Sequence, residues 1–257
     1  MVKKWAPAKL NIGLDIVGLR EDGYHLLDTI MQTVDIFDEL EFEPRDDGEV
    51  ILECDSEYVP ADDSLVVKAV RALTDKGMSI KMKCNIPSRA GMGAGSSDAA
   101  TTLKAVNEIY CLGKTAEELE TIGSRLGADV PFFIKGGRQR CQGIGEILTE
   151  LKKETEYYVV VKPEDEAITK SIFSKYDEWI SSGGKEKCTR DYINVLEPVT
   201  AQEHPVIYEI KDKLIKYGAR LASMTGSGTA VFGVFDSIEA AEKCIKQIGE
   251  GFLCQVC

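Results

Sequence analysis

Apolar and polar positions change their rhythm several times along the chain, and each change marks an element. Residues 3–17 (KKWAPAKLNIGLDIV) place apolar and β-branched positions in alternation around a polar Lys9-Leu10-Asn11, the spacing of a half-buried strand. Stretches 39–44 and 49–54 repeat that spacing. From Asp63 to Lys76 the period is helical, with Leu65, Val66, Ala69, Val70 and Leu73 inward and Gly77 as the stop. Ser79 to Asn85 predicts another strand. After Asp98, the residues Ala99, Ala100, Leu103, Val106, Ile109 and Tyr110 fall at spacings of one, three and four, so an amphipathic helix follows. A further helix is expected over Thr115 to Arg125, with Thr115 as its cap and Glu117 and Glu118 in the first turn.

The second half reads as a strand at Tyr157 to Lys162 and then a helix that aligns Thr169 and Phe173 at i, i+4. An amphipathic helix over Val206 to Lys216 follows, then strands at 219–224 and 230–235, a helix over Ile238 to Ile248, and a strand from Phe252. Asn194-Val-Leu-Glu197 reads as a structural helix start. Mixed strands and helices without an internal repeat point to an α+β class. The charged stretch at 151–155 (LKKET) marks a junction, giving domains over residues 1–152 and 153–257.

Composition narrows the chemistry. With 257 residues, 44% of them hydrophobic, the chain can bury a sizeable core. A net charge of −12 argues against nucleic acid or an anionic membrane as a partner, so an anionic ligand must be met by local cations or backbone donors. No stretch has the length of a membrane span or a signal peptide. The eight cysteines are scattered, and only Cys254 and Cys257 form a C-x-x-C. Free thiols in a reducing, cytoplasmic setting are the expectation.

The candidate chemistry centres on residues 86–100, IPSRAGMGAGSSDAA. Gly91, Gly93 and Gly95 run into Ser96, Ser97 and Asp98, which suit a helix start. A glycine-rich loop entering a helix aims unpaired N–H groups and the positive dipole end at one point, an anion site and most often a phosphate site. It is no P-loop, because Ser96 rather than Lys follows Gly95. It is no dinucleotide fingerprint either, because the third residue after Gly93 is Ser96. Elsewhere, Lys9 and Asn11 share one strand face, which is compatible with plain solvation. His25 alone fits a structural or surface role, and Phe173 fits a core position. Asp129, set among Ala128, Val130 and two phenylalanines, reads on its own as a helix cap or a structural ion pair.

Taken together, PxxxGxGxGSSxAA resembles the second motif of the GHMP kinases, and Thr225-Gly226-Ser227-Gly228 resembles their third. The opening Ala8-Lys9-Leu10-Asn11, then Arg20, Asp22-Gly23-Tyr24-His25, Asp35 and Asp38, resembles one branch of that family. This branch phosphorylates the 2-hydroxyl of 4-diphosphocytidyl-2-C-methyl-D-erythritol in the non-mevalonate isoprenoid pathway. The resemblance implies a two-domain GHMP kinase fold: an N-terminal part like domain 2 of ribosomal protein S5 and a C-terminal ferredoxin-like α/β sandwich. It implies that ATP phosphates are wrapped by Pro87, Gly91, Met92, Gly93, Ala94, Gly95, Ser96, Ser97 and Asp98, with Gly226, Ser227 and Gly228 reaching over. Asp129 is then the catalytic base and Lys9 its partner. Asn11, Tyr24, His25, Thr169 and Phe173 hold the substrate, with Tyr24 and Phe173 sandwiching the cytosine. Mg²⁺ accompanies ATP, with Ser97 as the nearest hydroxyl. A monomer or homodimer acting on small molecules is expected. A GHMP kinase for another small alcohol, or a catalytically idle relative, stands as the alternative. Arg138 and Arg140 depart from the family text, which has small and apolar residues there; they suit solvent or an anion.

Overall fold

The computed structural model describes residues 1–56, 64–152, 154–184 and 194–257. One long antiparallel hairpin, β1 (Val2–Leu19) and β2 (His25–Arg45), frames the first half. Its turn is the expected Asp-Gly, with Gly23 at φ +86°, a value that its missing Cβ allows. The strands β3 (Val50–Cys54), β4 (Gly77–Lys83), β5 (Arg138–Gly143) and β6 (Ile147–Glu150) complete a six-stranded sheet. β1 lines one edge of β2, while β5 and β4 share the other. Register shifts at Pro7/Ala8 and Asn11/Gly13 bracket residues 8–11, and bulges of this kind re-aim side chains.

Helices α1 (Leu65–Arg71), α2 (Ala94–Ile109), α3 (Ala116–Gly123) and α4 (Val130–Lys135) pack on this sheet. They bury Leu103, Phe132 and Phe133 with Met31 and Cys141, and Val66 and Val106 with Leu40 and Phe42. The expected capping residue Thr115 forms a full capping box with Glu118. Helix α1 is shorter than its periodicity suggests. Ser64 caps it, it ends at Arg71, and Gly77 opens β4 instead of closing the helix. A Cβ on Gly77 would stand 2.7 Å from the Glu49 carbonyl oxygen, so the glycine answers a close strand contact. Asp63, the expected helix start, lies outside the described residues.

The second sheet runs β10-β7-β9-β8, from β7 (Tyr157–Val161), β8 (Leu221–Met224), β9 (Val231–Phe235) and β10 (Phe252–Gln255). Helices α5 (Thr169–Ser181), α6 (Glu197–Glu203) and α7 (Val206–Lys216) lie between β7 and β8, and α8 (Ile238–Ile248) lies between β9 and β10. With every pairing antiparallel, this is the ferredoxin-like arrangement expected. Tyr158, Val160, Phe232 and Val234 face Ala8, Leu10 and Ile12 of the first sheet, whereas Val159, Val161, Val231 and Phe235 face the helices. A sheet covered on both sides reads as an unbroken apolar run, which is how 157–161 and 230–235 look in the sequence. No described helix is long and apolar enough to cross a membrane.

A buried carboxylate joins the halves. Glu156 takes Arg138 at 3.2 Å, the Tyr158 hydroxyl at 2.6 Å, and Arg220. Arg138 is therefore buried structure rather than a solvent-facing residue, while exposed Arg140 pairs with Asp28.

Another buried pair holds the entrance to the glycine loop. The carboxylate of Asp38 accepts the N–H groups of Asn85 (2.5 Å) and Ile86 (2.7 Å), just ahead of Pro87. Asp98, also buried, reaches the same carboxylate from α2. Burial, and then the neighbouring Asp38 charge, hold the Asp98 carboxyl well above the usual range. Burial raises Asp38 as well, against the pull of its two N–H donors. Two carboxyls in a dry pocket disfavour joint ionisation, so the pair favours a state that retains one proton, with burial and the Asp38 charge both raising Asp98. A carboxyl whose folded pKa lies above its unfolded value stabilises fully below the unfolded pKa, about 4, and loses that contribution as pH rises towards the folded pKa. The melting temperature should therefore decline as pH is raised from 5 to 8. Asp98→Asn keeps an N–H donor and does not titrate, so its melting temperature should change less over the same range. Equal slopes for the two proteins in thermal denaturation would refute the shared proton.

Candidate active site

Residues 8–12 of β1 divide their side chains between two tasks. Ala8, Leu10 and Ile12 enter the core between the sheets, while Lys9 and Asn11 face the other way and are themselves buried. Lys9 is only 4% exposed. Its Nζ lies 3.8 Å from Asp129 Oδ2 and donates to Asn11 Oδ1. Burial lowers the Lys9 pKa from its ordinary value, and the Asp129 carboxylate pulls it back up. Asp129 sits where a cap would sit for α4 but makes no capping hydrogen bond, and 30% of its side chain remains exposed. Below the pair, burial and the Asp129 charge push the Cys141 thiol up to about 12, so it stays neutral.

The glycine loop comes to the same place. The Met92 carbonyl accepts the Lys9 N–H at 3.0 Å, while the Met92 side chain is buried in the core between the sheets. Gly91 and Gly93 adopt φ near +75°. A Cβ on Gly91 would lie 2.2 Å from the Thr225 carbonyl oxygen, and one on Gly93 would lie 2.8 Å from the Phe133 ring. These glycines thus answer protein contacts as well as any phosphate. Helix α2 starts at Ala94 with Gly93 as its cap, so the expected Ser-Ser-Asp cap actually lies inside the helix. Ser97 N–H already bonds to Gly93 O, and the first turn holds no acidic residue. The N–H groups of Ala94, Gly95 and Ser96 are left at the positive end of a 16-residue helix.

Two expected ligands do not face this point. Ser97 is fully buried, and its hydroxyl donates to the Pro7 carbonyl at 2.6 Å, which takes it away from any metal. Asp98 is turned inward onto Asp38, away from a nucleotide. Ser96 is the partly exposed hydroxyl, lying beside Gly127 just before Asp129.

The second glycine turn closes the opposite side. Thr225 Oγ1 accepts the Asn11 N–H at 2.9 Å, and Ser227 Oγ lies 2.8 Å from Thr169 Oγ1 at the start of α5. Gly226 lies against Gly91, and Gly228 takes φ +93°. The Asn194 amide donates to the carbonyls of Met224 (2.9 Å) and Gly226 (2.6 Å), and Glu197 accepts the Met224 N–H at 2.8 Å. Sequence reasoning took Asn194 and Glu197 only as a helix start. The available signal was a pair of polar residues flanking Val-Leu in a stretch that becomes buried.

At the hairpin tip, the His25 ring packs on Phe173 with centroids 4.9 Å apart, and Nε2 sits 2.7 Å from Asp177 Oδ1. Tyr24 is 59% exposed, with the Arg20 guanidinium 5.4 Å from its ring. The structure therefore brings Phe173 onto His25, while Tyr24 stands in solvent. A cleft of about 860 Å³ opens beside the loop entrance, lined on one side by Asp55, Cys84 and Pro87 and on the other by Lys162, Glu166 and Phe252.

Residues 64–137 match the model of the GHMP kinases N-terminal domain, and 183–252 match that of the GHMP kinases C-terminal domain. The chain is 38% identical to a 4-diphosphocytidyl-2-C-methyl-D-erythritol kinase of Thermoanaerobacter pseudethanolicus, over 97% of this chain and 92% of the relative. It is 40% identical to the enzyme of that name from Clostridium novyi, over 93% and 92%. A crystal structure of 4-(cytidine 5'-diphospho)-2C-methyl-D-erythritol kinase superposes with a TM-score of 0.82 at 28% identity, covering 99% of both chains. A mevalonate kinase shares the fold, with a TM-score of 0.74 at 16% identity over 100% of this chain and 99% of that one. The chain belongs to the GHMP kinases and, within them, to the 4-diphosphocytidyl-2-C-methyl-D-erythritol kinase family.

Proposed function

We propose that the protein transfers the γ-phosphoryl group of ATP to the 2-hydroxyl of 4-diphosphocytidyl-2-C-methyl-D-erythritol, in the non-mevalonate route to isoprenoid precursors. The observation that carries this reading is the Lys9–Asp129 pair, 3.8 Å apart where the two glycine turns meet. The leftover N–H groups of Ala94, Gly95 and Ser96 cradle the phosphates, and Gly226, Ser227 and Gly228 approach from the other side. Pro87 and the cleft beside it take the adenosine end, for which about 860 Å³ is ample. Asn11, Thr169, Tyr24, His25 and Phe173 line the path to the acceptor, with the cytosine stacked between Tyr24 and Phe173.

In phosphoryl transfer most of the barrier is lowered by alignment and by neutralising charge on the γ-phosphoryl oxygens. Asp129 receives the proton from the attacking hydroxyl. Lys9, fixed by Asn11, keeps that carboxylate aimed. Magnesium arriving with the nucleotide would neutralise phosphate charge, and Ser96 is the hydroxyl placed to meet it. The partition into domains at 1–152 and 153–257 follows the membership of the two sheets. A cytoplasmic location suits the free thiols of the described cysteines.

A coupled ADP-release assay tests the assignment. Asp129→Asn should lower kcat by ~10²–10⁴, the usual worth of a general base, with ATP affinity by calorimetry unchanged. A near-normal kcat would remove Asp129 from the chemistry. Phe173→Ala should raise KM for the cytidine substrate by roughly 5–150-fold, equivalent to ~1–3 kcal/mol of stacking, and leave KM for ATP alone. An equal rise in both constants would mean that Phe173 supports the site generally rather than the base.

A further inference from the structure

Cys54 at the end of β3, Asp55 after it, and Cys84 just beyond β4 bring two thiols and a carboxylate together on parallel neighbouring strands. One ligand atom from each lies within 4.8 Å of the others. We propose that these three side chains form a binding site for a thiophilic divalent cation of the zinc class, with water completing the tetrahedron.

Three observations carry this. First, the sulfurs stand 3.4 Å apart. Tetrahedral zinc at about 2.3 Å from each sulfur needs them about 3.8 Å apart, a small opening, whereas a disulfide at about 2.05 Å needs a much larger closure. Secondly, the donors are held from behind: Cys84 N–H donates to Asp55 Oδ1 at 2.9 Å and Ser56 N–H donates to Cys54 Sγ at 3.4 Å. Backbone donors to ligand atoms of this kind orient a metal site before the ion arrives. Thirdly, the surroundings are negative and open. Asp38 lies next door, bonded to the residue after Cys84, and both Asp55 and Cys84 line the 860 Å³ cleft, which gives an ion its way in. Two thiolates with one carboxylate select a soft or borderline ion over magnesium. On binding, each thiol gives its proton to solvent and each sulfur forms one bond to the ion. The three side chains take no part in moving the phosphoryl group, but Asp55 and Cys84 border the cleft assigned to the adenosine end, so the titration is run without nucleotide and reads the metal site apart from that assignment.

The test titrates chelator-treated, reduced full-length protein with Cd²⁺ and Zn²⁺. Cadmium should produce the ultraviolet thiolate-to-metal charge-transfer band, saturating at a single ion, and excess Mg²⁺ should leave the band in place. Cys54→Ser and Cys84→Ser should each abolish it, and Asp55→Asn should weaken binding by roughly 10–100-fold. Cys111→Ser, which alters an exposed thiol elsewhere, should not change it. Circular dichroism of each variant without metal separates loss of the site from loss of the fold. A band that survives either serine substitution in folded protein would overturn the proposal, as would Mg²⁺ competing as strongly as Zn²⁺. So would a Cys54–Cys84 disulfide that persists, by mass, under the reducing conditions of the titration.

Discussion

A lysine ammonium that has almost no access to water organises the site. Removing such a charge from solvent costs several kcal/mol unless opposite charge and hydrogen bonds replace the water. Lys9 meets that demand with Asn11 Oδ1 and the Asp129 carboxylate, and its own N–H is tied to the Met92 carbonyl. Each partner comes from a different part of the chain. The ammonium thus draws β1 and the start of α4 together, and the Lys9 backbone N–H ties the glycine loop to the same point. Asp129 keeps its exposed edge because Lys9 approaches from the buried side.

The same convergence explains why backbone, not side chains, forms the walls. The loop at Gly91 and the turn at Thr225 touch so closely that a methyl group on Gly91 would overlap a carbonyl oxygen. Asn11 bonds to Thr225 through its main chain and to Lys9 through its side chain, so it links the second glycine turn to the ammonium. Behind that turn, Asn194, just ahead of α6, and Glu197 at its start hold the backbone. The two glycine turns are thus distant segments locked together, each held in place by the other.

Local chemistry was legible in the sequence where a feature depends on neighbours along the chain. The hairpin turn at Gly23, the capping box at Thr115, helix α7 and the helical spacing of Thr169 and Phe173 are all of this type. What escaped depends on distant partners. Ser96, Ser97 and Asp98 look alike as helix-start residues, yet only the fold decides which of them meets Pro7, which meets Asp38 and which stays open. Arg138 looked like a surface residue because its counter-charge, Glu156, lies in the other sheet's approach. Gly77 carried the signature of a helix stop, but the strand contact at Glu49 is what requires it. The Lys9–Asp129 pair was named from resemblance. Periodicity could place Lys9 and Asn11 on one face, but only the folded chain brings Asp129 to them.

The framework alone cannot choose the acceptor. A mevalonate kinase shares this fold at 16% identity, and one fold can host different substrates. Selectivity must therefore reside in groups that project beyond the cradle. In this chain these are the hairpin tip, where His25 packs between Phe173 and the edge of Tyr176 and is anchored by Asp177. The tip belongs to the first sheet's half and α5 to the second's, so the His25–Phe173 contact exists only when the halves are docked. The Glu156 cluster and the C-terminal strand, whose Gln255 N–H bonds to Asp35, hold that docking. Structural contacts far from the Lys9–Asp129 pair thus fix where the hairpin tip stands over α5.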